Sequence, residues 1–133
     1  LGERGRCVAD RAGALAAAAG LSARACDHSR QAGAMFEVGR LALRACGEEF
    51  AEENPCAAAA YLLNLWGFPA PVVAAVACCA NPAGSPNQEL GPLAMVHLAS
   101  RLLDGAEVDM DYFDRLGVRG RVAEWIDRSG GGA

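Results

Sequence analysis

An all-α fold of about six to seven helices is the structure this sequence predicts, and three observations carry the prediction. Hydrophobic residues make up 53% of the 133, yet only two Trp, two Tyr and four Phe are among them. The core must therefore come from Ala, Leu and Val, a composition that suits helices better than sheets. Apolar residues recur at helical spacing between residues that cap helices, and no stretch alternates with the period of two that marks a strand. Finally, the run from Asn54 to Gln88 contains no Asp, Glu, Lys or Arg, although such residues are 21% of the chain. A segment without charge on any face is expected to be buried on most faces. Its two apolar segments, Cys56–Trp66 and Val72–Ala80, flank Gly67-Phe68-Pro69-Ala70-Pro71. They read as a buried helical hairpin that the other helices wrap. The length fits one domain, here residues 1–128, with 129–133 as a disordered Ser/Gly tail.

The elements follow in order. Glu3–Ala19 places Val8, Ala12, Leu15 and Ala19 on one helical face. Gly20 suits its C-terminal cap and Ser22 the N-cap of the next helix. Ala23–Cys46 reads as one long helix or two collinear ones, with Cys26, Ala32, Met35, Phe36, Leu41 and Leu43 apolar. Gly33 and Gly39 each cost about 1 kcal/mol in a helix interior, and a glycine kept at that cost marks close packing on another helix. Gly47 ends the segment, and Glu48, Glu49, Glu52 and Glu53 form a solvated patch around Phe50. Asn54-Pro55 starts the hairpin, with Asn as N-cap and Pro at the first helical position. Gly67 stops its first helix and Asn81-Pro82 its second. Gln88–Leu103 is the next helix, with Leu90, Leu93, Ala94, His97 and Arg101 in one stripe. Asp109 caps Met110–Leu116, Gly117 closes it, and Gly120–Asp127 forms the last helix with Val122, Trp125 and Ile126.

All twelve basic residues are Arg, which reflects base composition in a GC-rich genome and not a binding signal. The net charge of −4 is uneven: residues 1–46 carry seven Arg against four acids, and residues 47–133 five Arg against twelve acids. Neither half forms the basic stripe of a nucleic-acid binder. No run is long and apolar enough for a membrane span, and no signal-peptide pattern is visible in the sequence. The first residue is not Met, which suggests a piece of a longer protein. Cys7, Cys26, Cys46, Cys56, Cys78 and Cys79 are expected as small buried hydrophobes in a reducing cytoplasm, since a helical domain with a real core needs no disulfides.

The residues that could carry chemistry are few. A metal centre needs several His, Asp, Glu or thiolate groups at one point, and the chain has only His28 and His97. His28, in Asp27-His28-Ser29-Arg30, is expected to be exposed; His97, in an apolar stripe, is expected to be a satisfied core residue. Cys78 and Cys79 diverge by about 100° on a helix, which suits one tetrahedral ion poorly. Cys56 could join them from the neighbouring helix of the hairpin. No CxxC pair, phosphate-binding glycine loop or GxSxG elbow is present.

Five segments have a family likeness. Gly33-Ala34-Met35-Phe36-Glu37-Val38-Gly39-Arg40-Leu41-Ala42-Leu43, Ala59-Ala60-Tyr61-Leu62-Leu63-Asn64-Leu65-Trp66-Gly67-Phe68-Pro69 and Val72-Val73-Ala74-Ala75-Val76 resemble the HD superfamily. The similarity is nearest to HDOD-type domains and to the HD domains attached to response-regulator receivers. Met95-Val96-His97-Leu98-Ala99 and Tyr112-Phe113-Asp114-Arg115-Leu116-Gly117-Val118 extend it, so it covers about Val8 to Trp125. The resemblance implies an HD-like bundle. It also implies where metal ligands would sit: Phe36 and Glu37 stand where active members carry His-Asp, Pro55 and the Cys78-Cys79 pair where they carry further histidines, and Ser100 where they carry an Asp. Every histidine of that set is replaced. HDOD modules also have helices before this region that the chain lacks.

The expectation is therefore a non-catalytic regulatory or protein-interaction module of bacterial signal transduction, cytoplasmic, without a cofactor, metal or enzymatic activity. A protein partner or an attached receiver domain is expected, and neither nucleic acid nor membrane. Homodimerisation through an alanine-rich helix face is compatible with the composition. Two alternatives remain open: a metal-dependent phosphohydrolase with a rewired Glu37, Cys78, Cys79 site, and a small-ligand sensor whose vacated pocket is lined by Phe36, Tyr61 and Cys79.

Overall fold

A computed structural model describes residues 3–46, 55–78, 82 and 89–130. Among them the chain forms seven α-helices and no strand. They are α1 (Glu3–Ala18), α2 (Ala23–Cys46), α3 (Pro55–Leu65), α4 (Ala70–Cys78), α5 (Pro92–Asp104), α6 (Met110–Arg115) and α7 (Val122–Gly130), with a 3₁₀ turn at Arg119–Arg121 before the last. The expected all-α architecture of six to seven helices is what the chain adopts.

Local chemistry sets most boundaries. Gly20, with φ +78°, ends α1, and the Leu21 N–H reaches back to the Ala16 carbonyl at 3.0 Å. Ser22 accepts from the Ala25 N–H at 3.1 Å and so caps α2 as expected. Asp109 caps α6 by accepting from the Tyr112 N–H at 3.2 Å. The segment 23–46 is one helix, not two.

Several boundaries differ from the sequence expectation, among them the start of α7, which is Val122 and not Gly120 because a 3₁₀ turn occupies Arg119–Arg121. α5 begins at Pro92 and not at Gln88: Gly91 is its extended N-cap, and Pro92 occupies the first turn, where a missing N–H costs nothing. α4 begins at Ala70, two residues early, because the Pro69 carbonyl already accepts from the Val72 and Val73 N–H groups. α7 runs to Gly130, so Ser129 and Gly130 belong to the helix and not to a disordered tail; the Ser129 hydroxyl donates to the Ile126 carbonyl at 3.0 Å. Residues 131–133 of the expected tail, Gly47, the acidic patch around Phe50, Asn54, and the stop at Asn81 lie outside the described residues.

Packing puts α5 at the centre. Every residue from Leu93 to Ser100 is buried, and α5 contacts α1, α2 and α4. α1 lies across α2, α5 and α7, contributing Val8, Ala12, Leu15 and Ala16, all fully buried. At the α1–α2 contact the backbones nearly touch: a Cβ on Gly33 would stand 3.0 Å from the N and Cα of Ala9. Gly33 thus has the packing reason expected of it; the side-chain environment of Gly39 is not described.

The charge-free hairpin is not wrapped as expected. Among the described residues α3 makes its substantial contacts with α2 and α4. Its inner face, with Ala59, Ala60 and Leu63, is buried, but its outer face leaves Tyr61, Leu65 and Trp66 in solvent. The small inner residues let α3 lie close on its neighbours, and only one side of an outer-layer helix can be covered.

Candidate functional site

Two features surround the residues nominated from sequence: a polar knot in the core where α5 meets α6, and the exposed face of the α3–α4 hairpin.

The knot is built on His97. Its ring is 1% exposed, and Nε2 accepts the Asp109 N–H at 3.1 Å. An accepting nitrogen carries no proton, so this edge of the imidazole is committed to holding the α5–α6 turn. His97 is a satisfied core histidine, as expected, and its role is to seat the N-cap of α6. The Ser100 hydroxyl donates to the His97 carbonyl at 3.0 Å within the same helix and is itself buried. Phe113 lies 6.3 Å from the His97 ring, and Tyr112 packs edge-on to Phe113 at 5.3 Å.

Tyr112 is the exception in this satisfied region. It is fully buried, yet among the described residues its hydroxyl has no hydrogen-bond partner. Burial, with smaller electrostatic contributions from Cys78 and Asp109, pushes the phenol up to about 12. An unfolded tyrosine ionises near pH 10, so between pH 10 and 12 the unfolded chain has lost a proton that the folded chain still holds. Stability therefore falls as pH rises through this window, by about 2–3 kcal/mol in all. Tyr112→Phe is expected to change stability at pH 7 by less than about 1 kcal/mol, since the hydroxyl has no bond to lose. It should also flatten the decline between pH 10 and 12, measured by urea denaturation; an unchanged decline would refute this origin.

The remaining nominated positions do not converge. Phe36 is part of the apolar core, whereas Tyr61 is 65% exposed on the far side of α3. Neither described cleft is lined by either of them. Cys78 ends α4, half-buried. Pro55 is the first residue of α3; its side chain, that of Glu37 and the whole of Cys79 lie outside what is described. Among the described residues no group of three or more His, Cys, Asp or Glu is placed to hold a metal ion. The described positions do not fit one either: Phe36 is apolar, the Ser100 hydroxyl is bound to a carbonyl, and His97 Nε2 is engaged by a backbone N–H.

The cysteines are partly as expected. Cys7, Cys26 and Cys78 are free, but Cys7 is exposed and the other two half-buried, so none of the three is a fully buried hydrophobe. Cys7 lies on an exposed flank of α1, at a cleft that Ala99, Leu102 and Leu103 of α5 also line. Cys46, Cys56 and Cys79 are outside the described side chains. His28, expected to be exposed, is half-buried.

The hairpin face is the feature sequence reasoning missed. Tyr61 and Leu65 are one turn apart on α3, and Trp66 follows at the helix end, 65%, 62% and 54% exposed. Gly67, with φ +84°, turns the chain there, and the Phe68 N–H closes on the Leu63 carbonyl at 3.1 Å. Beyond the turn Ala70, Pro71 and Ala74 line a depression of about 380 Å³ with Glu89 and the start of α5. A larger cleft of about 670 Å³ lies between α1, α5 and α7, beside Cys7, Asp10, Arg11 and Ser129, and contains none of the nominated residues. A signal for the hairpin face was present. Ala59 and Leu63 fall on the side of α3 opposite Tyr61 and Leu65, so the helix has two apolar faces and needs two partners or leaves one uncovered.

The class this architecture defines is an all-α domain with an uncovered apolar face; no helix among the described residues is long and apolar enough to cross a membrane. No family model, curated protein or solved structure matches the chain.

Proposed function

We propose that this domain is a non-catalytic regulatory or protein-interaction module of cytoplasmic bacterial signal transduction, built on an HD-like bundle that has lost its metal ligands. The observation that carries the reading is the exposed face of Tyr61, Leu65 and Trp66 within a stretch without charge. Three large apolar side chains grouped on one surface are characteristic of an interaction site. Tyr61, Leu65 and Trp66 also lie in the segment most similar to HDOD-type domains, and the described family ligand positions hold groups already engaged in packing or internal hydrogen bonds. A protein partner or an attached receiver domain is the corresponding input.

The test is chemical. The purified chain, incubated in turn with Mg²⁺, Mn²⁺, Fe²⁺ and Zn²⁺ and then desalted, is expected to retain substoichiometric metal by elemental analysis. It is expected to turn over neither nucleotides nor cyclic dinucleotides. One metal per chain, with hydrolysis abolished by Cys78→Ala, would replace this reading with a hydrolase using Glu37, Cys78 and Cys79.

A further inference from the structure

We infer that the hairpin face is a homodimer interface, in which Trp66 of one copy seats in the α4 depression of a second copy and receives that copy's Trp66 in return. This deepens the interaction-module reading by naming the partner as a second copy of this chain.

Four observations converge on that occupant. First, the face contains both halves of a self-complementary contact. Tyr61, Leu65 and Trp66 project from α3, and Ala70, Pro71 and Ala74 on α4 are small residues around a depression of about 380 Å³. An isologous contact requires that residue i meet j while j meets i. The projection and the depression flank the turn at Gly67 in the chain, and the proposed two-fold axis lies beside that turn. Second, the depression has room for an indole ring and is not filled by the chain's own Trp66, which is 54% exposed. Third, a seated indole N–H needs an acceptor, and Glu89 at the edge of the depression supplies a carboxylate.

Charge is the fourth observation. Residues 47–133 carry five Arg against twelve acids, so most approaches of two copies through this half bring like charges together. The hairpin is the exception, because Asn54–Gln88 has no charged side chain. Two copies can meet there with Glu89 as the one ionised side chain that lines the depression, and the indole N–H of the other copy is its partner. The area available matches a weak dimer. The three large side chains leave on the order of 400 Å² exposed, and the α4 shelf brings this to roughly 600 Å² per copy. That is the low end for a specific interface and fits a reversible dimer with a dissociation constant of micromolar order.

Sedimentation velocity of the chain from about 1 μM to about 1 mM tests this. A concentration-dependent monomer–dimer equilibrium is expected. Trp66→Glu and Ala74→Arg, both at exposed positions, should each weaken it at least about thirtyfold, with helix content unchanged by circular dichroism. Leu103→Glu, at an exposed leucine of α5 away from the hairpin, should leave it unchanged. Mixing the Trp66→Glu and Ala74→Arg proteins should restore a dimer. One native Trp66 contact is then regained, and the introduced carboxylate of one chain faces the introduced guanidinium of the other. A wild-type chain monomeric throughout, a dimer indifferent to Trp66→Glu, one lost with Leu103→Glu, or no recovery on mixing would each overturn the inference. A monomer without hydrolase activity would remove the dimer and leave the module reading standing; metal-dependent turnover would remove the module reading whatever the oligomeric state.

Discussion

Trp125→Ala is expected to lower the stability of the domain by about 4 kcal/mol, the range seen when a buried tryptophan is truncated and the cavity relaxes only in part. Trp125 is the largest fully buried side chain, at 1% exposure, and stands on α7 where that helix packs on α1. Val122, one turn earlier, is the other buried anchor of α7. The opposite side of α7 is polar and includes an exposed Arg128–Glu124 pair at 2.7 Å, an arrangement that contributes little. The helix is therefore held by one apolar edge, and Trp125 supplies most of it. Arg121 adds a smaller share, its guanidinium carbon 5.3 Å from the ring centroid. Domains of this size are stable by about 5–15 kcal/mol, so the loss is a large fraction of the total. It corresponds to a fall in Tm of roughly 15 °C. Thermal and urea denaturation followed by circular dichroism measure it. Trp66→Ala is the control: that side chain is mostly in water, and its loss should change monomer stability by less than about 1 kcal/mol. Equal effects of the two substitutions would contradict the packing described.

Gly33→Leu is expected to cost about 3 kcal/mol, although leucine is the better helix former by close to 1 kcal/mol. The reason is the approach of α1. The added Cβ meets the Ala9 N and Cα at 3.0 Å and the Val8 carbonyl carbon at 3.1 Å, and these are backbone atoms that cannot swing away. The two helices must separate, which loosens the contacts of Val8 and Ala12 as well. Gly33→Ala should also destabilise, by about 1–2 kcal/mol, because even one methyl forces the shift. Gly13→Ala makes the contrast. There the three atoms nearest the new methyl all belong to the side chain of Arg30, which is exposed and can move outward. Helix propensity then dominates, and a gain of up to about 1 kcal/mol is expected. Chemical denaturation of the three variants orders them; a neutral Gly33→Leu would show that α1 and α2 are not in backbone contact.

Much of the fold was legible because it is written in local chemistry. Ser22 and Asp109 announce helix starts, and Gly20, Gly67 and Gly117 announce ends, each with the positive φ that favours glycine. His97 could be read as a core residue from its apolar neighbours alone. The errors came where a boundary or a burial depends on another element. Charge-free composition pointed to the α3–α4 hairpin as the centre, yet it is α5 that is buried throughout Leu93–Ser100, with its last turn reaching solvent. The run Leu90–Ser100 is equally free of Asp, Glu, Lys and Arg, but it is shorter, and Glu89 separates it from Asn54–Gln88.

The candidate site was less legible than the fold. The resemblance puts Phe36 and Ser100 at ligand positions and the pocket reading joins Phe36 to Tyr61, whereas the structure places Phe36 and Ser100 in the core and Tyr61 at the surface beside Leu65 and Trp66. The sequence by itself determined the helices, most of their caps and the close approach at Gly33. These follow from propensity, hydrogen-bonding side chains and the absence of a Cβ, properties that a residue carries wherever it stands. Only the tertiary structure decided that α5 is central and that one face of α3 is uncovered. A helix with two apolar faces has the same sequence whether one or both are buried; which face meets protein and which meets water depends on how many neighbours the fold places around it.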